Sequence, residues 1–487
     1  MTQFGNILLE SIYFISDHIV IFTMLCAIVV VFFQRKEPKS TWAWLLLLYF
    51  IPIWGFFIYL LAGTDIHKRK MFRVKEIEDR MGDIIRRQEF QIASKEVKDK
   101  KLQKYLDLIY YNLESVGSVV TEDNSIETFT EGSSLFIKLK EDLKQAQNFI
   151  HLQYYIIRDD FLFEQIKDIL IQKAKEGIEV RILYDGMGSR EISKKQWKIL
   201  RDAGIETAEF FPALLRRFHL RINYRNHRKI VIIDNEIGYV GGFNIGKEYL
   251  GLSKKFGSWR DTQLRIQGMA VGFLQIRFLY DWNYASDKKI IIGGSYIKSK
   301  SNHEGDSTIQ IISSGPDSFS QNIRDNYFRL ISKAEKKIYI QTPYFVPDET
   351  IITALLIAVK SGIEVNVMIP CMPDHPFVYW ATYSYIGDLV MAGAQCYTYE
   401  DGFLHAKGMI IDDEVYCYGT ANMDIRSFAL NFEVNAIVYD EVEAKKMVAI
   451  FEQDLKHCKQ ITKEKYSRRV LKVRVKEKVS RLLSPLL

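Results

Sequence analysis

Two short stretches of the sequence carry residues that could supply a nucleophile or an acid beside a fixed cation. NHRKIVIIDNEIGYVGGFN sets out His227, Lys229 and Asp234, followed by Gly241 and Asn244. LHAKGMIIDDEVYCYGTAN sets out His405, Lys407 and Asp412, followed by Gly419, Thr420 and Asn422. Both read H-x-K-x4-D-x6-G-[GT]-x-N. The run after each Lys is apolar and strand-like, and on an extended chain residues i and i+2 share a face. His227 with Lys229, and His405 with Lys407, are therefore expected to enter one space, each pair setting a nucleophile or acid beside a fixed cation. A single stretch of this kind arises readily by composition; two with the same glycine and asparagine tail do not. A neutral imidazole can act as a nucleophile and a protonated one as an acid. The two lysines and the amides of Asn244 and Asn422 are groups that can hold negative charge. Asp234 and Asp412 are counted with the catalytic set, although each starts a turn after a strand, where a structural role competes. No HExxH, DxDxD or Cys–His cluster accompanies them, so no metal or other cofactor is expected.

The elements that position these residues repeat. AKEGIEVRILYD (174–185) resembles AVKSGIEVNVMIP (358–370), and NFIHLQYYIIRDD (148–160) resembles KKIYIQTPYFVPDE (336–349). RDAGIE at 201 likewise matches VMAGAQ at 390. An apolar run after GIEV reads as a buried parallel strand, and helix-then-strand repetition argues α/β halves with largely parallel or mixed sheets. Two similar halves pack most simply about a pseudo-twofold axis, which would bring equivalent residues to one central cleft.

Composition bounds the alternatives. In 487 residues, 48% are hydrophobic and 26% charged, which excludes disorder or coiled coil as a description of the whole chain. The formal net charge of +6 is too small to mark a nucleic-acid-coating protein. Five cysteines with no CxxC make a disulfide framework or a cysteine zinc site unexpected. The first 66 residues differ from the rest: segments about 12–33 and 40–64 are hydrophobic and predict a membrane hairpin. Lys68, Arg69, Lys70, Arg73 and Lys75 after it outnumber Arg35, Lys36 and Lys39 in its loop, which predicts a cytoplasmic face for the large domain. A charged helical linker (67–113), a first domain (114–300) and a second domain (301–487) are expected to follow. The second ends in a basic run from Lys463 to Arg481, interleaved with Val470, Leu471, Val473, Val475 and Val479, which reads as an interfacial amphipathic helix or as a packing helix.

With both motifs, the hydrophobic hairpin, SWRDTQLRIQG after the first motif, NMDIRSFALNFE after the second and the closing SRLLSPLL, the sequence resembles the phospholipase D superfamily, and within it the bacterial cardiolipin synthases. The resemblance implies two phospholipase-D-like domains. It implies transfer of a phosphatidyl group from one phosphatidylglycerol to another through a phosphohistidine, at the cell membrane. It suggests His227 as nucleophile and His405 as acid and base, although the symmetry of the motifs leaves these roles open. An acidic residue downstream of each motif would orient its histidine, at positions matched by Asp261 and Glu433. The sequence departs from the family pattern at Gly242, where a Ser or Thr is usual; Thr420 is kept in the second motif. Phosphatidylglycerol and the membrane are the expected partners, not nucleic acid. The basic-aromatic stretch FFPALLRRFHLRINYRNHRK, with Arg216, Arg217, Arg221, Arg225 and Arg228, suits an anionic lipid surface. A membrane-bound phospholipase D or a phosphatidylserine-synthase-like transferase is the nearest alternative. A nuclease and a catalytically silent lipid-binding scaffold are more distant ones.

Overall fold

A computed structural model describes residues 100–211, 224–290, 305–318 and 320–484, the helix at 38–51, and single residues elsewhere. By its contacts the chain forms two units, one of them spanning Met1–Lys68 and one comprising most of the remainder. In the first, helix α1 (Pro38–Phe50) buries Trp44 and Leu48 and exposes Trp42, Leu46, Tyr49 and Phe50. Its 13 residues extend about 20 Å at the α-helical rise, short of a bilayer's hydrocarbon thickness. Among the described residues no helix is long and apolar enough to cross a membrane. Most of the expected hairpin, and Arg216, Arg217 and Arg221, lie outside the described residues.

The second unit holds two halves with one topology. In the first half the elements are β1 (Val120–Glu131), α3 (Gly132–Gln145), β2 (Phe149–Tyr154), α4 (Phe161–Lys175), β3 (Glu179–Asp185), α5 (Lys194–Asp202), β4 (Glu206–Phe210), β5 (Arg225–Asn226), β6 (Ile230–Ile233), β7 (Ile237–Gly241), β8 (Trp259–Gln267) and α6 (Ala270–Ala285); helix α2 (Leu106–Val116) precedes them. The second half runs β9 (Ser307–Ser314), α7 (Asn322–Lys333), β10 (Lys337–Gln341), β11 (Phe345–Val346), α8 (Glu349–Lys360), β12 (Glu364–Pro370), α9 (Pro376–Ala392), β13 (Gln395–Tyr399), β14 (Phe403–Leu404), β15 (Gly408–Ile411), β16 (Val415–Gly419), β17 (Met423–Asp424), α10 (Ile425–Ala429), β18 (Asn431–Val438) and α11 (Glu441–Leu455). Short strand β19 (Cys458–Gln460) and helix α12 (Leu471–Leu482) close the described chain. The first sheet is ordered β4-β3-β2-β6-β7-β8-β1, and the second β13-β12-β10-β15-β16-β18-β9. β1 also pairs with β9, so the two sheets are joined edge to edge.

The sheets are mixed rather than largely parallel. β2, β3 and β4 run parallel, as do β10, β12 and β13, and the remaining strands of each set are antiparallel. The motif strands cause this: the turn after each motif folds β6 onto β7 and β15 onto β16 as hairpins. β6 and β15 are buried along their whole length, which explains their unbroken apolar sequence. The repeated sequence segments have common structural roles. Asp160 and Asp348 cap α4 and α8 by accepting backbone N–H groups. Gly177 and Gly362, the glycines of the two GIEV segments, take φ of 86° and 89° with open space around a notional Cβ. Their requirement is therefore the left-handed turn itself.

The segment expected as a linker contributes to the core. Leu108, Ile109 and Leu113 of α2 are buried, and Asn112 donates to Gln310 Oε1 (2.9 Å) and Asn326 Oδ1 (2.8 Å) of the second half. One apolar core draws on both sheets, including Ile230, Leu264, Ile410 and Val434, and is completed by Phe278 of α6 and Phe451 of α11. The outer face of each half has a core of its own.

Candidate active site

The two histidines sit where each half reaches into the other. β5, just before His227, pairs in parallel with β18, and the His227 N–H bonds to Phe432 O at 3.0 Å. β14, just before His405, pairs in parallel with β8, and the His405 N–H bonds to Arg260 O at 2.7 Å. The next residue on each partner strand is acidic, and this register sets the side-chain pairing. His227 Nδ1 meets Glu433 at 3.0 Å, and His405 Nδ1 meets Asp261 at 2.6 Å. Each histidine is thus oriented by a carboxylate from the other half. Such a partner fixes the ring and leaves Nε2 as the working nitrogen. Both carboxylates are fully buried, and both histidines are nearly so.

The lysines complete the arrangement. Lys229 donates to His227 O at 2.6 Å, and Lys407 donates to His405 O and lies 2.7 Å from His405 Nδ1. Burial pulls the Lys229 ammonium down from 10.5 to about 7 and that of Lys407 to about 8, against the pull of Glu433 and Asp261. Burial, then the charge of Lys407, lowers His405 to about 4 despite Asp261. His227 is lowered first by burial, with Glu433 opposing. Burial pushes both carboxyls up, but the neighbouring Lys and His charges outweigh it and hold Asp261 and Glu433 below the usual carboxylate range. The charge of Lys407 reaches His227 and that of Lys229 reaches His405, so the four groups form one site.

Thr420 donates to Glu433 Oε2 at 2.5 Å, linking it to the His227 side. The departure at Gly242 now has a physical reason. A Cβ there would lie 1.9 Å from Asp261 Oδ1, so the shorter acid occupies the space a side chain would fill. Asn422 is buried, and its Oδ1 has no hydrogen-bond partner among the described residues. Asn244 differs: its Oδ1 accepts Ile156 N–H (3.0 Å) and its Nδ2 donates to Tyr249 OH (3.1 Å). Both amide atoms of Asn244 thus make local contacts.

Asp234 and Asp412 also make local contacts. Each opens a turn whose two central residues have positive φ, 56° and 60° for Asp234 and Asn235, 55° and 60° for Asp412 and Asp413. Asp234 accepts the N–H groups of Gln147, Asn148 and Phe149 (2.7–2.9 Å), and Asp412 those of Glu335, Lys336 and Lys337 (2.7–2.8 Å). These amides lead into β2 and β10, at the far end of β6 and β15 from the lysines. At the rise of an extended strand the separation is about 16 Å along the chain. The carboxylates pin hairpin to sheet and belong to the scaffold. Asp412→Ala is expected to lower unfolding stability by about 2 kcal/mol, since three amides lose their acceptor and alanine tolerates positive φ poorly. Asp412→Asn should lose less, and denaturant unfolding of both variants checks the order.

Several positioning groups escape sequence reasoning. Tyr155 packs edge-on to His227 and Trp259 tilts against His405, with ring centroids 4.9 Å apart in both cases. Arg228 is fully buried rather than facing lipid: it pairs with Asp281 (2.6 Å) and donates through Nε to Glu433 O (3.1 Å). Asp281 also accepts from Gln153 (2.6 Å). In the second half Asp454 likewise holds Gln341 (2.7 Å), but the arginine it pairs with, Arg260 (2.8 Å), comes from β8 of the first half, because Ala406 stands at the position matching Arg228. The recurrence of Gln153 and Gln341 within the repeated segments was the signal available in the sequence.

Duplicated mixed sheets with one histidine–lysine pair on each, the two pairs meeting at one site, define a phospholipase-D-like protein. A family profile for the cardiolipin synthase PLD-like domain matches residues 139–258 and 327–455, and one for the phospholipase D-nuclease N-terminal region matches residues 21–63. The chain belongs to the cardiolipin synthase family. It is 48% identical to the major cardiolipin synthase ClsA of Bacillus subtilis, over 99% of both chains. It is 46% identical to a cardiolipin synthase of Oceanobacillus iheyensis, over 95% of this chain and 96% of that one. Among solved structures it is similar in fold to phosphatidylserine synthase of Haemophilus influenzae, with a TM-score of 0.56 at 15% identity, covering 74% of this chain and 95% of that one.

Proposed function

We propose that the protein is a membrane-bound phosphatidyltransferase that converts two phosphatidylglycerols to cardiolipin and glycerol. The observation that carries this reading is the crossed pairing, which orients two imidazoles beside two buried ammonium groups. Near-full-length likeness to proteins named cardiolipin synthase supports the substrate. His227 Nε2 attacks the donor phosphorus, the bond to glycerol breaks, and His405 gives its proton to the departing oxygen. His405 then takes the proton of the acceptor's terminal hydroxyl as that oxygen attacks the phosphohistidine, and His227 leaves. Lys229, Lys407 and Asn422 stabilise the charge of both transition states. The hydrophobic segments near 12–33 and 40–64 anchor the enzyme, with the catalytic halves on the cytoplasmic face.

The test uses full-length protein in detergent micelles containing phosphatidylglycerol alone, with and without EDTA. Cardiolipin and glycerol in equal amounts, unchanged by EDTA, are expected. Phosphatidate without cardiolipin would make the protein a hydrolase instead.

The lysine pKa values set a pH dependence. Lys229 and Lys407 are charged below about 7 and about 8 respectively, and become neutral above. kcat/KM should therefore fall as pH rises through 7–8. A bound phosphodiester raises both pKa values, so the fall in kcat should come at higher pH. Profiles that stay flat well into the alkaline range would show that the lysine charges do not matter.

A further inference from the structure

Helix α12 lies beyond the residues matched to the family's catalytic domain, which end at 455. It is amphipathic in the reverse of the usual sense. Glu477 (3% exposed) and Ser480 (2%) face the protein, while Leu471 (76%), Val475 (51%), Val479 (47%) and Leu482 (81%) face outward. At about 3.6 residues per turn these four fall on one stripe, with Lys472 and Lys478 along its two borders. Both lysines are exposed.

The rotation of the helix is fixed by polar contacts. Glu477 pairs with Arg469 at 2.7 Å, and Arg481 with Asp388 of α9 at 2.7 Å. Lys476 lies 5.0 Å from the Trp380 ring centre, and Arg481 4.2 Å from that of Tyr385. A soluble protein normally turns a helix's apolar face to its core. Here the ion pairs and cation–π contacts hold it outward.

We propose that α12 docks on the surface of an anionic bilayer, its apolar stripe entering the headgroup boundary and its lysines meeting lipid phosphates. Charge complementarity selects this occupant: from Lys463 to Arg481 the chain has nine Lys or Arg against two Glu. The docked face lies one helix away from the catalytic site. α9, on which α12 packs, begins just after Asp374, which accepts from Tyr344 and whose charge reaches Lys407. Docking here would hold the cleft against the surface that supplies its lipid substrates, so the consequence for turnover rests on the transferase reading, whereas docking itself does not.

Two measurements on the full chain separate these. With the photoreactive substitution Val475→benzoylphenylalanine, lipid adducts should form at least about fivefold more on vesicles of phosphatidylcholine with phosphatidylglycerol than on phosphatidylcholine alone. Absent adducts, or equal adducts on both, overturn docking on anionic lipid whether or not the protein makes cardiolipin. The triple variant Leu471→Ser, Val475→Ser, Leu482→Ser should lose about tenfold in turnover on vesicles while staying within about twofold of wild type in detergent micelles. Unchanged turnover on vesicles, or equal loss in both, overturns the proposal. Wild-type protein that forms adducts but no cardiolipin would instead count against the transferase reading.

Discussion

His227→Ala and His405→Ala should each lose at least about 10⁴-fold in cardiolipin formation, yet they should differ with an activated substrate. Glycerol is a poor leaving group and needs a proton as its bond to phosphorus breaks. A phosphatidyl ester of an acidic phenol does not. His405→Ala, with the nucleophile intact, should therefore release a burst of phenolate equal to the enzyme present and stop at the phosphohistidine. His227→Ala should release none. The opposite result would exchange the two roles, and equal behaviour would contradict a division of labour. The crossed contacts extend the expectation. Asp261 holds His405, so Asp261→Asn should slow glycerol release and largely spare the phenol burst. Glu433 holds His227, so Glu433→Gln should slow both. A pairing within each half would give the reverse assignment. In the resting site His405 is pulled down to about 4, chiefly by burial and then by the Lys407 charge. An anionic phosphodiester between the lysines offsets that charge, so the proton needed for glycerol release is held better once substrate is bound.

Gly242→Thr, which restores the residue type usual in the family, should reduce turnover by about 10²-fold or more. The notional Cβ lies 1.9 Å from Asp261 Oδ1 and 2.5 Å from Asp261 Oδ2, and the acid is fully buried. The added side chain must displace the carboxylate that orients His405. It should also destabilise the fold, because overpacking at a buried site costs about 1–3 kcal/mol. The double variant Gly242→Thr, Asp261→Ala separates the two effects. Removing the carboxylate relieves the clash, so the melting temperature should recover while turnover remains low. Such non-additivity is expected for residues in contact. Wild-type activity in the single variant would mean that Asp261 is not held where this geometry puts it.

The chemical groups were legible in the sequence because the motif occurs twice, and its HxK spacing brings both pairs to the site. The two halves were legible through the GIEV segments and the capping aspartates, which depend on local conformation. What the sequence hid is long-range. Nothing in SWRDTQ or NFEVN says that its acid serves the histidine of the other half; that follows from the parallel pairing of β5 with β18 and β14 with β8. Arg228 has the composition of a lipid-facing residue, and only its tertiary partner Asp281 makes it a buried strut. Of the largely parallel or mixed sheets expected, the mixed form is found because the turn at each motif aspartate, which the sequence did contain, reverses the chain into an antiparallel hairpin. Asn244 looked equivalent to Asn422 by position, yet Tyr249, absent from the motif, captures its amide.

The exchange of carboxylates between halves also bears on how such a protein can diverge. A lone half would contain a histidine and an acid that cannot serve each other, and would need a second copy to complete either dyad. Two identical copies would then be bound to two identical dyads. Joining the copies in one polypeptide removes that constraint. One crossing here has become Asp261 beside a bare glycine, and the other Glu433 braced by a threonine hydroxyl. Fusion lets two chemically alike histidines acquire different surroundings, so that one can be specialised for bonding to phosphorus and the other for carrying a proton.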